Sequence, residues 1–304
     1  MNLLVAVSLA AAVSTAWVLE PRRGLDLHLP APADNPLTRA KVSLGRRLFF
    51  DKRLSRDRTM ACASCHDPQR AFSDGRQVAR GIGGADGTRN SPALINRGYG
   101  ASFFWDGRAS SLERQVLEPI LNPRELGLSI SELERRTKRS VLDVTTALAS
   151  FVRTIRSGNS RFDQYVDGNK RALTQIERDG LALFRGRAQC WACHSGPNFT
   201  DERFHNTGVA WRNDRLADTG RSAVSGDDKD RGAFKTPTLR DVILTAPYMH
   251  DGSLPTLEAV LDFYSRGGNQ NPWLDPTVAA QNFSRTEKMA LISFLRALTG
   301  EPRQ

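Results

Sequence analysis

Apolar side chains recur three and four positions apart along several stretches of the chain, the spacing that gathers them on one face of a helix. One stretch begins near Pro36 and carries Leu37, Val42, Leu44 and Leu48 towards Phe49 and Phe50. Others cover Leu112 to Leu121 and about Val141 to Arg156, the latter with Val144, Leu148, Phe151, Val152 and Ile155 on one stripe. Three more take in Ile176, Leu181, Leu183 and Phe184, then Leu257 to Tyr264, then Thr286 to Leu298. Alternating apolar and polar positions, the mark of a half-buried strand, are scarce. Between the helices lie a glycine-rich loop from Gly75 to Asn90 and a polar loop from Asn206 to Lys235. The expected fold is mainly α with long connecting loops.

The run Leu3 to Leu19 has no charged side chain, and Glu20-Pro21-Arg22-Arg23 follows it. It falls short of the about 20 residues a membrane helix wants, and Ser14 and Ala16 suit the −3 and −1 positions of a cleavage site. Residues 1–20 therefore read as an export signal or an uncleaved N-terminal anchor, with a buried helix as the third option. Either of the first two exports the body of the protein. The proline-rich, polar residues 21–35 read as a linker.

Two of the helices lead into closely similar motifs, Cys62-Ala63-Ser64-Cys65-His66 and Cys190-Trp191-Ala192-Cys193-His194. They stand about a small domain's length apart, so the chain reads as a duplicated module: an N-terminal domain over residues 36–165 and a C-terminal domain over 166–304. A length of 304 residues allows a core in each.

Cys-x-x-Cys-His is the attachment signature of c-type haem. The thiols at this spacing form thioethers to the haem vinyl groups, and the adjacent histidine becomes the proximal iron ligand. Zinc ribbons pair Cys-x-x-Cys motifs at roughly 15–20 residues, and a thioredoxin-like motif has no need of the histidine. Two covalent haems are expected, one on Cys62, Cys65 and His66, the other on Cys190, Cys193 and His194. All four cysteines are then consumed. The five histidines are His28, His66, His194, His205 and His250, so none lies between the two motif histidines. The first iron thus has no second histidine from its own domain, and an open sixth position is what peroxide or dioxygen needs. The formal charge of +10, from 43 Lys and Arg against 33 Asp and Glu, permits an acidic partner, an anionic surface or nucleic acid without choosing among them.

With these motifs stand Leu48-Phe49-Phe50-Asp51, Arg89-Asn90-Ser91-Pro92, Phe104-Trp105-Asp106-Gly107-Arg108, Thr236-Pro237-Thr238-Leu239-Arg240 and Ala246-Pro247-Tyr248-Met249-His250-Asp251-Gly252. From Pro36 to Leu298 the chain resembles the bacterial di-haem cytochrome c peroxidases and MauG-type di-haem enzymes. The resemblance implies two cytochrome c-like domains, the first haem reacting with peroxide and the second transferring electrons. It puts Gln115 and Glu125, ten residues apart, on the distal side of the first haem, with Glu125 as general acid–base and Gln115 orienting the substrate. Trp105 matches the tryptophan between the haems. Asn90 with the carbonyls of Thr245 and Pro247 matches an inter-haem calcium site.

Two departures point to the MauG side of the family. Reduction-activated members block the first haem with a loop histidine, and the matching position here is Ile82. They also supply an axial methionine fourteen residues after the position of His250, and here that residue is Tyr264, a hard anionic donor as phenolate. Met249 rivals it on chemistry alone. His250 reads as a propionate or outer partner, and His205 and His28 as surface or loop residues. The resemblance implies a periplasmic peroxidase that oxidises a protein partner; the basic charge favours an acidic one, and no nucleic-acid partner is expected. Its alternatives are a detoxifying enzyme fed by a small cytochrome or cupredoxin, and a non-catalytic di-haem electron carrier.

Overall fold

The structure, a computed structural model, describes residues 17–303. The expected export segment therefore lies, apart from its last four residues, outside the described residues. Among the described residues no helix is long and apolar enough to cross a membrane.

Among the described residues the six longest helices fall where the periodicity puts them, and three shorter ones carry no such signal. In the first half these are α1 (Arg39–Phe49), α2 (Leu112–Leu121), α3 (Ile130–Thr137) and α4 (Val141–Thr154), followed at the junction by α5 (Arg161–Val166). The second half contains α6 (Gln175–Arg185), the short α7 (Ser222–Ser225), α8 (Leu257–Ser265) and α9 (Arg285–Arg296). Most begin at a serine or threonine whose side chain accepts a hydrogen bond from the backbone N–H two or three residues on, as Ser111 does from Arg114 and Ser284 from Glu287. That removes one of the orphan donors at each helix start. Among the described residues strands are limited to short antiparallel pairs, β1 (Arg156–Gly158) with β6 (Glu301–Arg303), β2 (Phe204–His205) with β5 (Phe234–Lys235) and β3 (Trp211–Arg212) with β4 (Arg215–Leu216).

The two halves repeat one another at the level of contacts. In the first, α1 crosses α4 at Gly45, where an added Cβ would stand 1.9 Å from the Ala147 carbonyl oxygen. In the second, α6 crosses α9 at Gly180, where it would stand 2.0 Å from the Ala290 carbonyl oxygen. One turn further on, Phe49 meets Phe151 at a ring separation of 5.1 Å and Phe184 meets Phe294 at 5.2 Å. Only glycine lets two backbones approach so closely, and each crossing seats the loop that carries a Cys-x-x-Cys-His motif.

Two apolar cores result, one around Leu48, Phe49, Leu148 and Phe151, the other around Phe184, Phe199, Leu291 and Phe294. Phe162 and Tyr165 of α5 pack into the second. Residues 21–35 are also more than a spacer. Leu25 and Asn35 are buried, Asn159 N–H donates to the Arg23 carbonyl at 3.0 Å, and Arg240 donates to that of Gly24. Leu25, Leu27 and Leu29 alternate with polar residues, yet only Leu25 is buried and Leu27 is exposed, so the pattern does not show what the segment docks against.

Ion pairs lock the halves together. Arg89 makes a bidentate pair with Asp218 at 2.8 and 2.9 Å and also reaches Asp106. Glu202 accepts from Arg97 of the first half at 2.7 Å and from Lys235 of the second at 2.8 Å.

Candidate functional site

Both Cys-x-x-Cys-His motifs open onto one cavity of 880 Å³. In each motif the first cysteine starts a single 3₁₀ turn that the second cysteine's N–H closes, and the histidine N–H also donates to the first cysteine's carbonyl, at 3.0 Å for His66 and 2.9 Å for His194. The four cysteines are unpaired, as haem attachment requires.

His66 Nδ1 lies 2.9 Å from the Phe72 carbonyl oxygen, and His194 Nδ1 lies 2.9 Å from that of Phe199. A carbonyl only accepts, so Nδ1 carries the proton and Nε2 keeps its lone pair. Burial, the largest influence on both rings, lowers their pKa values and keeps them neutral. A neutral imidazole oriented by a hydrogen bond from its other nitrogen is the state an iron ligand needs. The donor set at both motifs fits a covalently attached haem.

On the first motif's side, α2 contributes Gln115 to the cavity wall, and the loop after it contributes Glu125. Asn122 Nδ2 donates to Glu125 Oε1 at 2.8 Å. Burial raises the Glu125 pKa, outweighing the opposing pull of that hydrogen bond and of Arg108, while Glu118 adds to the rise. A carboxyl displaced towards neutrality is suited to exchanging protons. The glycine-rich loop grips this segment: Ile82 N–H donates to the Glu125 carbonyl at 3.0 Å, and a Cβ on Gly81 would stand 1.8 Å from the Arg124 carbonyl oxygen. Ile82 itself is buried.

Trp105 lines the cavity and is held by both halves. Its Nε1 donates to the Asn90 carbonyl at 2.9 Å, and its own carbonyl accepts from Lys235 N–H at 2.8 Å. Asn90 N–H in turn donates to the His250 carbonyl at 2.7 Å. Asn90, Thr245 and Pro247 line the same cavity, and their oxygens are of the kind calcium accepts.

On the second motif's side, α8 turns Tyr264 into the cavity. Burial together with the nearby Cys190 and Cys193 pushes its pKa well above that of an exposed tyrosine, against an opposing influence of Thr207. The free phenol is therefore neutral, and only a strong cation would hold it as phenolate. Met249 also lines the cavity. His250 is buried and stacked on Phe234 at 3.6 Å between ring centres.

His28 is exposed, as expected from sequence. His205 is not a surface residue: it lines the cavity, with Nδ1 2.6 Å from Asp275 and Nε2 2.9 Å from Asp201. Asp201 stands four residues before it, a weak hint, but Asp275 lies far along the chain and no local pattern points to it. Arg89, Arg97, Glu202 and Lys235 were equally invisible, since isolated charges do not announce their partners.

Residues 39–171 match the family described as di-haem cytochrome c peroxidase, and residues 233–268 match a RoxA-like, cytochrome c-like family. The chain is 41% identical over 292 residues to the methylamine utilization protein MauG of Methylorubrum extorquens, covering 90% of this chain and 82% of that protein. The chain belongs to the di-haem cytochrome c peroxidase family. A further family member, the cytochrome c551 peroxidase of Nitrosomonas europaea, is 32% identical over 98% of this chain and 90% of its own length. The crystal structure of a MauG-like protein associated with microbial copper homeostasis superposes with a TM-score of 0.85 at 32% identity, covering 94% of this chain and 96% of that one. As a di-haem peroxidase family member the protein is an oxidoreductase acting on peroxide, with haem as cofactor.

Proposed function

We propose that the protein is a periplasmic di-haem peroxidase of the MauG type, reducing hydrogen peroxide in the N-terminal domain and oxidising an acidic protein partner. One observation carries the reading: the cavity shared by the two motifs has a phenol, Tyr264, on the second motif's side and a proton-exchanging carboxyl, Glu125, on the first's. Ile82 stands where the reduction-activated relatives would need a blocking histidine.

Cys62, Cys65 and His66 would hold the first haem, and Cys190, Cys193, His194 and Tyr264 the second. When bound, the haem irons supply the two electrons that reduce peroxide to water and retain the resulting oxidising power. Gln115 orients peroxide, and Glu125 takes a proton from one peroxide oxygen and returns it to the other, which leaves as water. Trp105, fixed between Asn90 and Lys235, offers an aromatic bridge between the two domains. Asn90, Thr245 and Pro247 would bind one calcium ion.

A second reading, a detoxifying peroxidase drawing electrons from a small cytochrome or cupredoxin, is favoured by the similarity to cytochrome c551 peroxidase over nearly the whole chain. The holoprotein mixed with peroxide and an acidic periplasmic protein decides between them by mass spectrometry. Oxygen insertion or hydrogen loss at partner tryptophans supports the first. Peroxide consumption that reoxidises a carrier and leaves every partner's mass unchanged supports the second.

A further inference from the structure

Among the described residues His205 is the one histidine with both ring nitrogens on carboxylates, Nδ1 2.6 Å from Asp275 Oδ2 and Nε2 2.9 Å from Asp201 Oδ2. A neutral imidazole has a single N–H, so it satisfies only one such acceptor. The carboxylates are themselves kept ionised: Asp201 accepts from Arg203 N–H at 3.0 Å, and Asp275 from Thr277 N–H at 2.9 Å. Hydrogen bonds to the charged form lower both their pKa values despite burial. With both carboxylates ionised, the two contacts require an imidazolium.

The location gives this charge a use. Cys193 Sγ lies within 4.8 Å of the facing atoms of His205 and Asp201. His205 lines the cavity, whereas neither Asp201 nor Asp275 does. The positive ring thus stands at the attachment point of the second haem, with Asp201 beside it there and Asp275 on its other nitrogen. The cluster's residues also resemble a cation site, but haem attachment turns the Cys193 thiol into a thioether. The raised pKa of His205, about 10, owes most to Cys193 and next to its two carboxylates against an opposing effect of burial. The contribution of Cys193 goes with the thiol, and the two carboxylates remain.

We propose that His205, clamped between Asp201 and Asp275, is a positioning residue that fixes the charge at the Cys193 edge of the second haem and so sets that haem's reduction potential. The proposal rests on the reading that Cys190, Cys193 and His194 hold a haem. Reduction adds negative charge, so a cation at the edge favours the reduced form and an anion the oxidised one. An anionic Tyr264 ligand pulls the potential down, and the His205 imidazolium acts in the opposite sense. Removing the cation leaves two unscreened carboxylates and lowers the potential. Removing one carboxylate raises it.

Spectroelectrochemical titration of the holoprotein, with both haems resolved, tests this in His205→Gln, Asp275→Asn and His205→Lys. The expected result is a negative shift of the second midpoint in His205→Gln, a positive shift in Asp275→Asn and a return towards the parent value in His205→Lys. The first midpoint stays put in all three, which also reports that each variant is folded. Shifts of the same sign in His205→Gln and Asp275→Asn, or none at all, overturn the role of His205. One haem per chain, with Cys190 and Cys193 titrating as free thiols, removes instead the haem reading and the proposal with it.

Discussion

Asp163 and Arg240 form a pair with 1% side-chain exposure on each partner. Arg240 donates to Asp163 Oδ2 and Oδ1 at 2.8 and 2.9 Å, and through Nε to the Pro197 carbonyl at 2.7 Å. Asp163 also accepts from Ser160 N–H and Oγ, both at 2.8 Å, which starts α5. The pair therefore joins α5, the segment that carries Arg240, the Pro197 carbonyl just past the second Cys-x-x-Cys-His motif and, through Gly24, the docked N-terminal residues. Asp163→Asn keeps the shape and removes the charge, so no cavity term enters. The buried guanidinium is left uncompensated, a loss of about 3–5 kcal/mol. At roughly 2–4 °C per kcal/mol for units of this size, the midpoint of thermal unfolding falls by about 6–20 °C. Far-UV circular dichroism on heating reads this, and a cycle with Arg240→Met isolates the pair. The double variant should be at least about 2 kcal/mol more stable than the sum of the single losses implies. A loss below about 1 kcal/mol in Asp163→Asn, or strict additivity in the cycle, would refute the reasoning.

Glu125→Gln should lower kcat/KM for peroxide by about 10²–10⁴-fold and abolish the acid limb of its pH profile, while Asn122→Ala, which removes the hydrogen bond to the carboxylate, should move that limb to higher pH; stopped-flow rates across pH check both. Glu202 is held down to about 2: burial pushes it up, and Arg97 and Lys235 more than offset it. Its folded pKa is depressed, so its contribution, about 3 kcal/mol, is present above the unfolded pKa of about 4.3 and is lost as pH falls towards 2. Urea titrations of the parent and Glu202→Gln should differ at pH 6 and converge near pH 2. Gly45→Ala and Gly180→Ala should each cost about 1–3 kcal/mol or more by overpacking, and by similar amounts, because each new methyl meets a carbonyl oxygen at about the same distance; unequal losses in urea unfolding would count against the duplicated crossing.

The parts of this fold that were legible in the sequence are those with a local signature. The apolar stripes of α1, α4, α6, α8 and α9 carry a 3.6-residue period, and Cys-x-x-Cys-His is a contiguous motif whose spacing is its chemistry. Tyr264 and Glu125 were reachable only through the resemblance, because a tyrosine or glutamate on a helix face or loop has many ordinary explanations. What stayed hidden depends on residues brought together from far apart. His205 needed Asp275, Arg240 needed Asp163, and the docking of residues 21–35 rests on Leu25 and Asn35, whose partners lie far along the chain. The short α3 was missed as well: of its eight residues only Leu133 is buried, too little for a stripe.

The central claim is that the first haem is open, the second is held by Tyr264, and both share the oxidising power of one peroxide. An EPR spectrum of the purified diferric protein, before and after one equivalent of hydrogen peroxide, tests it directly. The account predicts a high-spin and a low-spin ferric signal that vanish together on addition, and loss of the joint response in Tyr264→Phe. Two low-spin signals indifferent to peroxide would contradict it and point to a reduction-activated peroxidase or an electron carrier.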